Sequence, residues 1–555
     1  MAKQRIDNFL GGTIRTELGY DEMSYTQNMY FESKTDGGIT KNILKGIEGM
    51  RMKYPLTGTP RGAFVTSTGP DGEPRLFVVK GRYLYAIDRR NPEPKNLGEI
   101  GGGYGPVSMC ETGGETPWLC IAYGDGIAVC SITLAVPVVE NIELPVKNIG
   151  GDGGKSRPIS PSYITYQFGY LTCNDQDTDF FYRSYQYPFE QLNSETGELE
   201  KRVFTYDPMT EEEVAGGMYI PSDWKPDVTT CMVSTNATLF TFGPKSMQLF
   251  KYTGDANMPF NSPDTSALAI GILAEHSAAC IGNKVFWLGS SDVGQFGVYM
   301  TSDVNPTRIS HPDMEREIME MKDPGDALGF CWTFAGHTFY ALTFHTDRKT
   351  YVYDLSTGLW HNRVSTDPET GENNDWRYKM AFLFDNSVCF LCDDGVVEIA
   401  LNRAQNASAQ VTGIIAPSWR EHDGNPIVRL RRGGAIVDGF TPFCIDNVQF
   451  KVYNRMPMAL SLSTERPKCR FRYSKNGEAF DSSRVGSLGR VNTLGLSGTK
   501  DITGILGKCG EFGFVTQFPR LGIGSSFTFE LSCSEDIPFD IVGCVINWTP
   551  VSRGF

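Results

Sequence analysis

The stretch Val285-Phe286-Trp287-Leu288-Gly289, followed by the polar run Ser290 to Gln295 and then by Phe296-Gly297-Val298-Tyr299-Met300, decides how the chain is read. Four apolar residues in succession predict a strand buried on both faces, where an amphipathic strand would alternate. Gly282-Asn283 stands before the run, and Gly289 to Gln295 supplies turn chemistry after it. The segment therefore reads as a hairpin inside a larger sheet. It makes Phe286, Trp287 and Leu288 core residues with no ligand role.

The same rhythm recurs in both directions. Leu76-Phe77-Val78-Val79 and Tyr83-Leu84-Tyr85-Ala86-Ile87 flank Gly81-Arg82. Trp118 to Tyr123 and Ile127 to Cys130 flank Gly124-Asp125-Gly126. Glycine supplies the positive φ that such tight turns need. Tyr163 to Tyr166 with Tyr170 to Cys173, Ala237 to Phe242 with Met247 to Tyr252, and Val388 to Leu391 with Val396 to Leu401 continue the series. In Tyr351-Val352-Tyr353-Asp354-Leu355-Ser356-Thr357-Gly358-Leu359-Trp360, a strand ends on Asp and a small-residue turn, and a Trp opens the return strand. Kelch-type blades use that device. These repeats predict an all-β protein: a β-propeller of six or seven blades over 61–415. Two segments look helical, Ser266 to Cys280 in part and Asp313 to Met321.

Residues 1–60 read as an extended arm that partly joins the propeller, with a strand that closes its ring. The texture changes near 416, where Pro417, Pro426, Arg429, Arg431 and Arg432 mark a boundary. Beyond it, runs such as Asn447 to Tyr453, Ala459 to Ser463, Arg470 to Tyr473, Ser526 to Ser532 and Ile541 to Trp548 predict a small antiparallel, sandwich-like β domain over 416–555. Asn193 to Ser222 is a long polar insertion with the acidic run Glu211-Glu212-Glu213, the kind of loop that often serves binding.

A chain of 555 residues with 60 glycines, 31 prolines and 12% aromatics suits repeated hairpins. The formal net charge is −14, which argues against a stable grip on nucleic acid by the chain as a whole. The charge is uneven. From Ala416 onward there are 17 Lys+Arg against 13 Asp+Glu, a balance of +4, and the remainder carries 34 against 52, a balance of −18. Opposite charges on two parts of one chain suit complementary assembly surfaces; a merely uneven solvated surface is the plain alternative. The N-terminal residues given lack the apolar core of a signal peptide, and no run is long enough to span a membrane, so synthesis and folding in a cytosol are expected. The 14 cysteines lie mostly in apolar strands and are expected as reduced, buried thiols.

No residue is assigned to catalysis, to a cofactor or to a metal. The histidines, His276, His311, His337, His345, His361 and His422, form no HExxH or His-x-His pair. Neither a GxSxG elbow nor a P-loop occurs. Gly101 to Gly105 is glycine-rich but leads into no regular helix. Cys389 and Cys392 form a CxxC within a hairpin, with no second pair to complete a zinc site. Asp175-Gln176-Asp177-Thr178-Asp179 resembles the opening of a calcium loop, but Phe180 and Gln186 stand where that loop needs Gly and Glu.

The chain resembles the packaged-DNA stabilisation proteins of short-tailed bacteriophages, the hub or nozzle of the tail. The resemblance runs through the chain in order: Asn28-Met29-Tyr30, Lys45 to Met50, Pro60-Arg61-Gly62, Gly81 to Tyr85, Val107-Ser108-Met109 and Phe242 to Leu249. It is most specific at Val285 to Gly289 with Val298-Tyr299 and Arg308-Ile309-Ser310, and returns at Phe471 to Ser474, Asn476-Gly477 and Gly486 to Arg490. It implies a structural virion protein without enzymatic activity, assembled in the host cytoplasm as a homohexameric ring. That ring would lie between the head-to-tail adaptor below the portal and a distal needle, spikes or fibres. It would retain packaged DNA, form the exit conduit during ejection and let double-stranded DNA pass without sequence-specific contact. An acidic wall suits such a conduit, because it repels phosphates. Two other readings remain: a host-receptor or glycan-binding propeller at the tail tip, and a propeller hydrolase, which would need facing carboxylates in its central pocket.

Overall fold

The hairpin 284–301 forms the middle of one sheet in a ring of seven. A computed structural model of the chain describes residues 2–6, 9–13, 24–36, 39–103, 105–142, 144, 146–148, 156–189, 191–192, 199–200, 219–222, 224–225, 227–256, 258–263, 267–291, 294, 296–303, 305–366, 372–400, 428–436, 441–454, 468–488, 512–534 and 539–551. The stretch Ala459 to Ser463, His422 and most of the insertion 193–222 lie outside them.

Seven antiparallel sheets, each with a central run of four strands, follow one another along 60–400 among the described residues. The first joins Pro60–Val65, Arg75–Lys80, Tyr83–Asp88 and Lys95–Glu99. The fifth contains Ala279–Ile281, Lys284–Ser290, Phe296–Thr301 and Thr307–Arg308. The innermost strands of successive sheets are neighbours around the ring, and the last, Met380–Phe384, meets the first, Pro60–Val65. This is a seven-bladed β-propeller. Its seventh blade takes three strands from 380–400 and its outermost strand, Gly49–Pro55, from the other end of the ring sequence.

The apolar residues form one cluster at each of the seven blade-to-blade interfaces. Such a layout explains the opening stretch. Val285 and Trp287 face blade four, where Trp287 meets Phe242 at 5.3 Å between ring centroids. Phe286 and Leu288 face blade six, where Phe286 stacks on Tyr340 at 4.9 Å. All four side chains are buried. A second strand sandwiched between two neighbouring blades needs apolar residues at every position.

Of the two helical expectations, one is met: Pro312–Met319 is a helix whose Met314 and Ile318 enter the interface between blades five and six. The other is corrected. Gly271–Ile272 and Ala279–Ile281 both pair with Lys284–Ser290, and only Glu275–Ser277 makes a turn of 3-10 helix. A Cβ on Gly271 would lie 2.3 Å from the Lys245 nitrogen. Close approach to the neighbouring blade, together with pairing to an open strand edge, overrides the local helical spacing.

Apart from three two-stranded ribbons, the remaining described strands form two further sheets around their own core. One orders Met29–Asp36, Ile39–Gly46, Asp540–Pro550, Phe443–Asn454 and Phe512–Gly524, with Ala2–Arg5 also on Asp540–Pro550. The other orders Tyr25–Gln27, Val428–Ile436, Ser526–Cys533, Lys468–Lys475 and Arg484–Ser487. Phe450, Phe471, Phe518, Phe529 and Ile541 pack between them. The second sheet continues into blade six, because Gln27 pairs with Asn362 on one side while Tyr25 pairs with Arg431 on the other.

Candidate functional site

All seven innermost strands, or the turns that lead into them, contribute to a central cavity of about 590 Å3. No lysine or arginine is among the lining residues, and the one carboxylate is Glu111. Glu111 is held by the Ser67 amide (2.8 Å) and hydroxyl (2.5 Å). A pair of facing carboxylates is therefore not among the lining residues. The cavity's polar corner is Tyr163, whose hydroxyl donates to the Glu275 carbonyl at 2.8 Å and lies 2.8 Å from His276 Nδ1. Burial holds the imidazole below its ordinary pKa and pushes the phenol up.

The other singled-out residues do structural work. His337 Nδ1 meets Asp354 at 2.8 Å, and Asp354 also accepts from Ser356 N and Thr357 Oγ1 at 2.9 Å each. Asp354 thus organises the turn after its strand, and Trp360 anchors the return strand by donating to the Ile309 carbonyl at 2.8 Å. His345 bonds Asp375 at 2.8 Å. His361 is buried beside Arg363, and His311 precedes the helix. Cys389 and Cys392 sit three residues apart in one strand and so point to opposite faces. Cys389 joins the interface between blades seven and one, Cys392 that between blades six and seven, which a shared metal ion could not bridge. Burial pushes the Cys389 thiol up to about 12. Asp175 is buried, accepting from Ser160 N and Thr178 Oγ1 at 3.1 Å each. Gly101 and Gly102 make room for the Tyr123 ring and backbone. Among the described residues, no group of three or more His, Cys, Asp or Glu could hold a metal, and no helix is long and apolar enough to cross a membrane.

Residues 210–395 match a phage stabilisation family described as bacteriophage P22 Gp10, β-propeller. The match spans the outermost strand of blade three, blades four to six and the two inner strands of blade seven. The Val285 to Tyr299 segment lies inside it. No curated protein matches the chain. Among solved structures, the chain is similar to a BBS1N chain in complex with ARL6DN (10% identity, TM-score 0.35, 62% of this chain and 93% of that one). It is also similar to the extracellular domain of a putative one-component system, BT4673, from B. thetaiotaomicron (11%, 0.36, 64% and 40%). A third is a functionally unknown protein from Desulfotomaculum acetoxidans (12%, 0.33, 59% and 92%). Scores this low carry no argument about function.

Two surface features have no counterpart in the sequence reading, and a third gives the basic C-terminal balance a place. Leu134, Val136 and Val138 are 55, 72 and 68% exposed on one loop of blade two. The loop is held from beneath by buried Arg75, which donates to the carbonyls of Leu134 (2.8 Å) and Ala135 (3.0 Å) and pairs with Asp88. Phe168 and Tyr187, 42 and 46% exposed, both have left-handed backbones, at φ 51° and 52°. Phe168 stacks on Tyr252 at 4.4 Å. A bulky residue at positive φ costs about 1–2 kcal/mol. The third feature is an arginine-rich sheet face around Glu530. Alternate arginines at 429 and 431, and at 470 and 472, were its local signal in the sequence.

Proposed function

We propose that this chain is a structural protein of a short phage tail. Copies of it would form a ring below the portal and adaptor, retain packaged DNA and surround its exit path. The observation that carries the reading is the family match over 210–395, which falls on contiguous blades of a closed seven-bladed propeller. The propeller's own cavity has room for only about twenty waters, so a duplex would pass between subunits and not through a subunit. The exposed Leu134, Val136 and Val138, held on a rigid support, suit a contact between neighbours. The test is direct imaging. Electron microscopy of the isolated protein and of virions is expected to give a six-fold ring with a central hole at the tail. Monomers at every concentration, and an absence of the protein from virions, would overturn the reading.

One observation favours a second reading, a glycan-binding propeller at the tail tip. At the tip of a two-residue turn, where Asn or Gly is preferred, the chain places exposed Phe168 against Tyr252. Exposed stacked aromatics suit the apolar face of a sugar. A glycan array probed with the protein and with Phe168→Asn tests this: binding lost in a variant with an easier turn would support it, and no binding by either would remove it.

A further inference from the structure

The outer face of the second sheet beside the propeller carries two cross-strand rows. Arg429, Ser532 and Arg470 stand in register in one, and Arg431, Glu530 and Arg472 in the next. The opposite face of the same strands is apolar and buried, with Leu430, Phe471, Phe529 and Leu531 in the core, so the arginines are bound to face outward. Three guanidiniums surround one carboxylate, and the fourth, Arg470, stands in the neighbouring row. Glu530 receives Arg431 Nη2 at 2.5 Å and Arg472 Nε at 2.9 Å, and Arg429 lies 3.9 Å away. Arg470 is exposed and has no ion pair among the described residues. The Arg429 Nε–H is buried with no hydrogen-bond acceptor among the described residues. Two of the guanidiniums are also held in place: Arg431 lies over the rings of Tyr25 (4.9 Å) and Phe480 (4.7 Å), and Arg472 lies over Phe480 (5.2 Å).

Four arginines beside one carboxylate leave this face with more positive charge than the described residues neutralise. We propose that this arginine face docks on the acidic body of a second copy of the chain, making it one side of the contact between neighbours in the assembly. This rests on the ring reading above and specifies one of its interfaces. The complement is in the same sequence, since residues 1–415 carry a balance of −18. Repeating heterologous contacts need two different matching patches on each subunit. Arginine forks take carboxylates in two-pronged geometry, and Arg431 and Arg472, held in place by the rings, lose little freedom on binding. A phosphate backbone is the less favoured occupant, because the chain's net charge of −14 argues against a stable grip on nucleic acid.

The experiment is mass photometry of the full chain across a concentration and salt series, for the wild type, Arg470→Glu and Arg470→Lys. Arg470 is the variant site because no described partner depends on it. The expected result is wild-type assembly that weakens as salt rises, at least tenfold weaker assembly in Arg470→Glu, and near wild-type assembly in Arg470→Lys. Arg470→Glu assembling like the wild type would overturn the interface and leave the ring reading standing. A wild type that never assembles would overturn both. Short duplex DNA, titrated in parallel by fluorescence anisotropy, distinguishes the other occupant. DNA binding that Arg470→Glu abolishes, with assembly unchanged, would also overturn the proposal.

Discussion

Replacing Lys80 by Met should loosen the closure of the ring. Lys80 ends the second strand of blade one, is almost fully buried, and gives its three ammonium protons to three backbone carbonyls: Leu56 (2.8 Å), Cys392 (2.8 Å) and Asp393 (2.6 Å). Leu56 follows the closing strand Gly49–Pro55, and Cys392 and Asp393 form the hairpin turn of blade seven. One side chain therefore ties blade one, the closing strand and blade seven together. A hydrogen bond involving a charged group contributes roughly 1.5–3 kcal/mol, so three would contribute several. Burying the ammonium opposes them by several kcal/mol; it also holds the lysine below its ordinary pKa. Met keeps the apolar stem but provides no donors, so the net loss is expected at about 2–4 kcal/mol, the upper range for a point substitution. Urea unfolding would measure it. Hydrogen exchange would locate it, with faster exchange at residues 49–55 and 395–400 than elsewhere in the propeller. A loss below about 1 kcal/mol, or exchange that quickens evenly over all blades, would refute the clasp.

Trp287→Ala should cost about 3–5 kcal/mol in urea unfolding, with Trp287→Phe retaining much of that, because the ring is buried between blades four and five. Acid should weaken both bodies. Burial pushes Glu398 and Glu530 up, but hydrogen bonds and charges from Arg51 and Lys53, and from Arg431, Arg472 and Arg429, outweigh it and hold both below the ordinary glutamate value. Their stabilisation is complete above that ordinary value and is lost as pH falls through the lower folded one. A melting-temperature series into that range should fall less steeply for Glu398→Gln than for the wild type. A chelator should leave the melting temperature unchanged, since Cys389 and Cys392 face different interfaces; a drop of several degrees would contradict that placement. Among the described cysteines, Cys280 is exposed and lines the cavity. A small maleimide should label it first, read by mass spectrometry, and slowly, because its enclosed position within the cavity raises its pKa.

What the sequence made legible was local. The run Val285 to Leu288 could be read because each of its positions faces a neighbouring blade, so no polar residue interrupts it. The Asp354-to-Trp360 turn was legible because Asp354 bonds residues two and three positions ahead. What stayed hidden depends on distant partners. Gly271 in an apolar, helix-spaced segment gave no sign that the Lys245 backbone would lie against it. Arg429, Arg431 and Arg432 read as boundary markers. Two of them form the outer face, whereas Arg432 turns inward and donates to the carbonyl oxygens of Phe9 (3.2 Å) and Gly11 (2.6 Å). Nothing beside Lys80 in the sequence points to its acceptors at 392 and 393, which come from the far end of the ring.

The first 55 residues carry more of the architecture than their irregular sequence implies. Ala2–Arg5 pairs with Asp540–Pro550, Tyr25–Gln27 links blade six to Val428–Ile436, and Gly49–Pro55 completes blade seven. The Asn28 side chain adds a bond to the Val364 carbonyl at 3.2 Å and accepts from the Val364 amide at 3.0 Å. Strand pairing of this kind is costly to break, because every freed backbone donor and acceptor needs a new partner. It fixes the sheet bearing the arginine face to the edge of blade six. A fixed angle between a basic face and an acidic body is what a closed ring requires, since a freely hinged pair would join copies at variable angles and form open chains as readily as rings. In the proposed ring the N-terminal arm would matter to assembly without having to touch a neighbour: it would set the direction in which the arginines point.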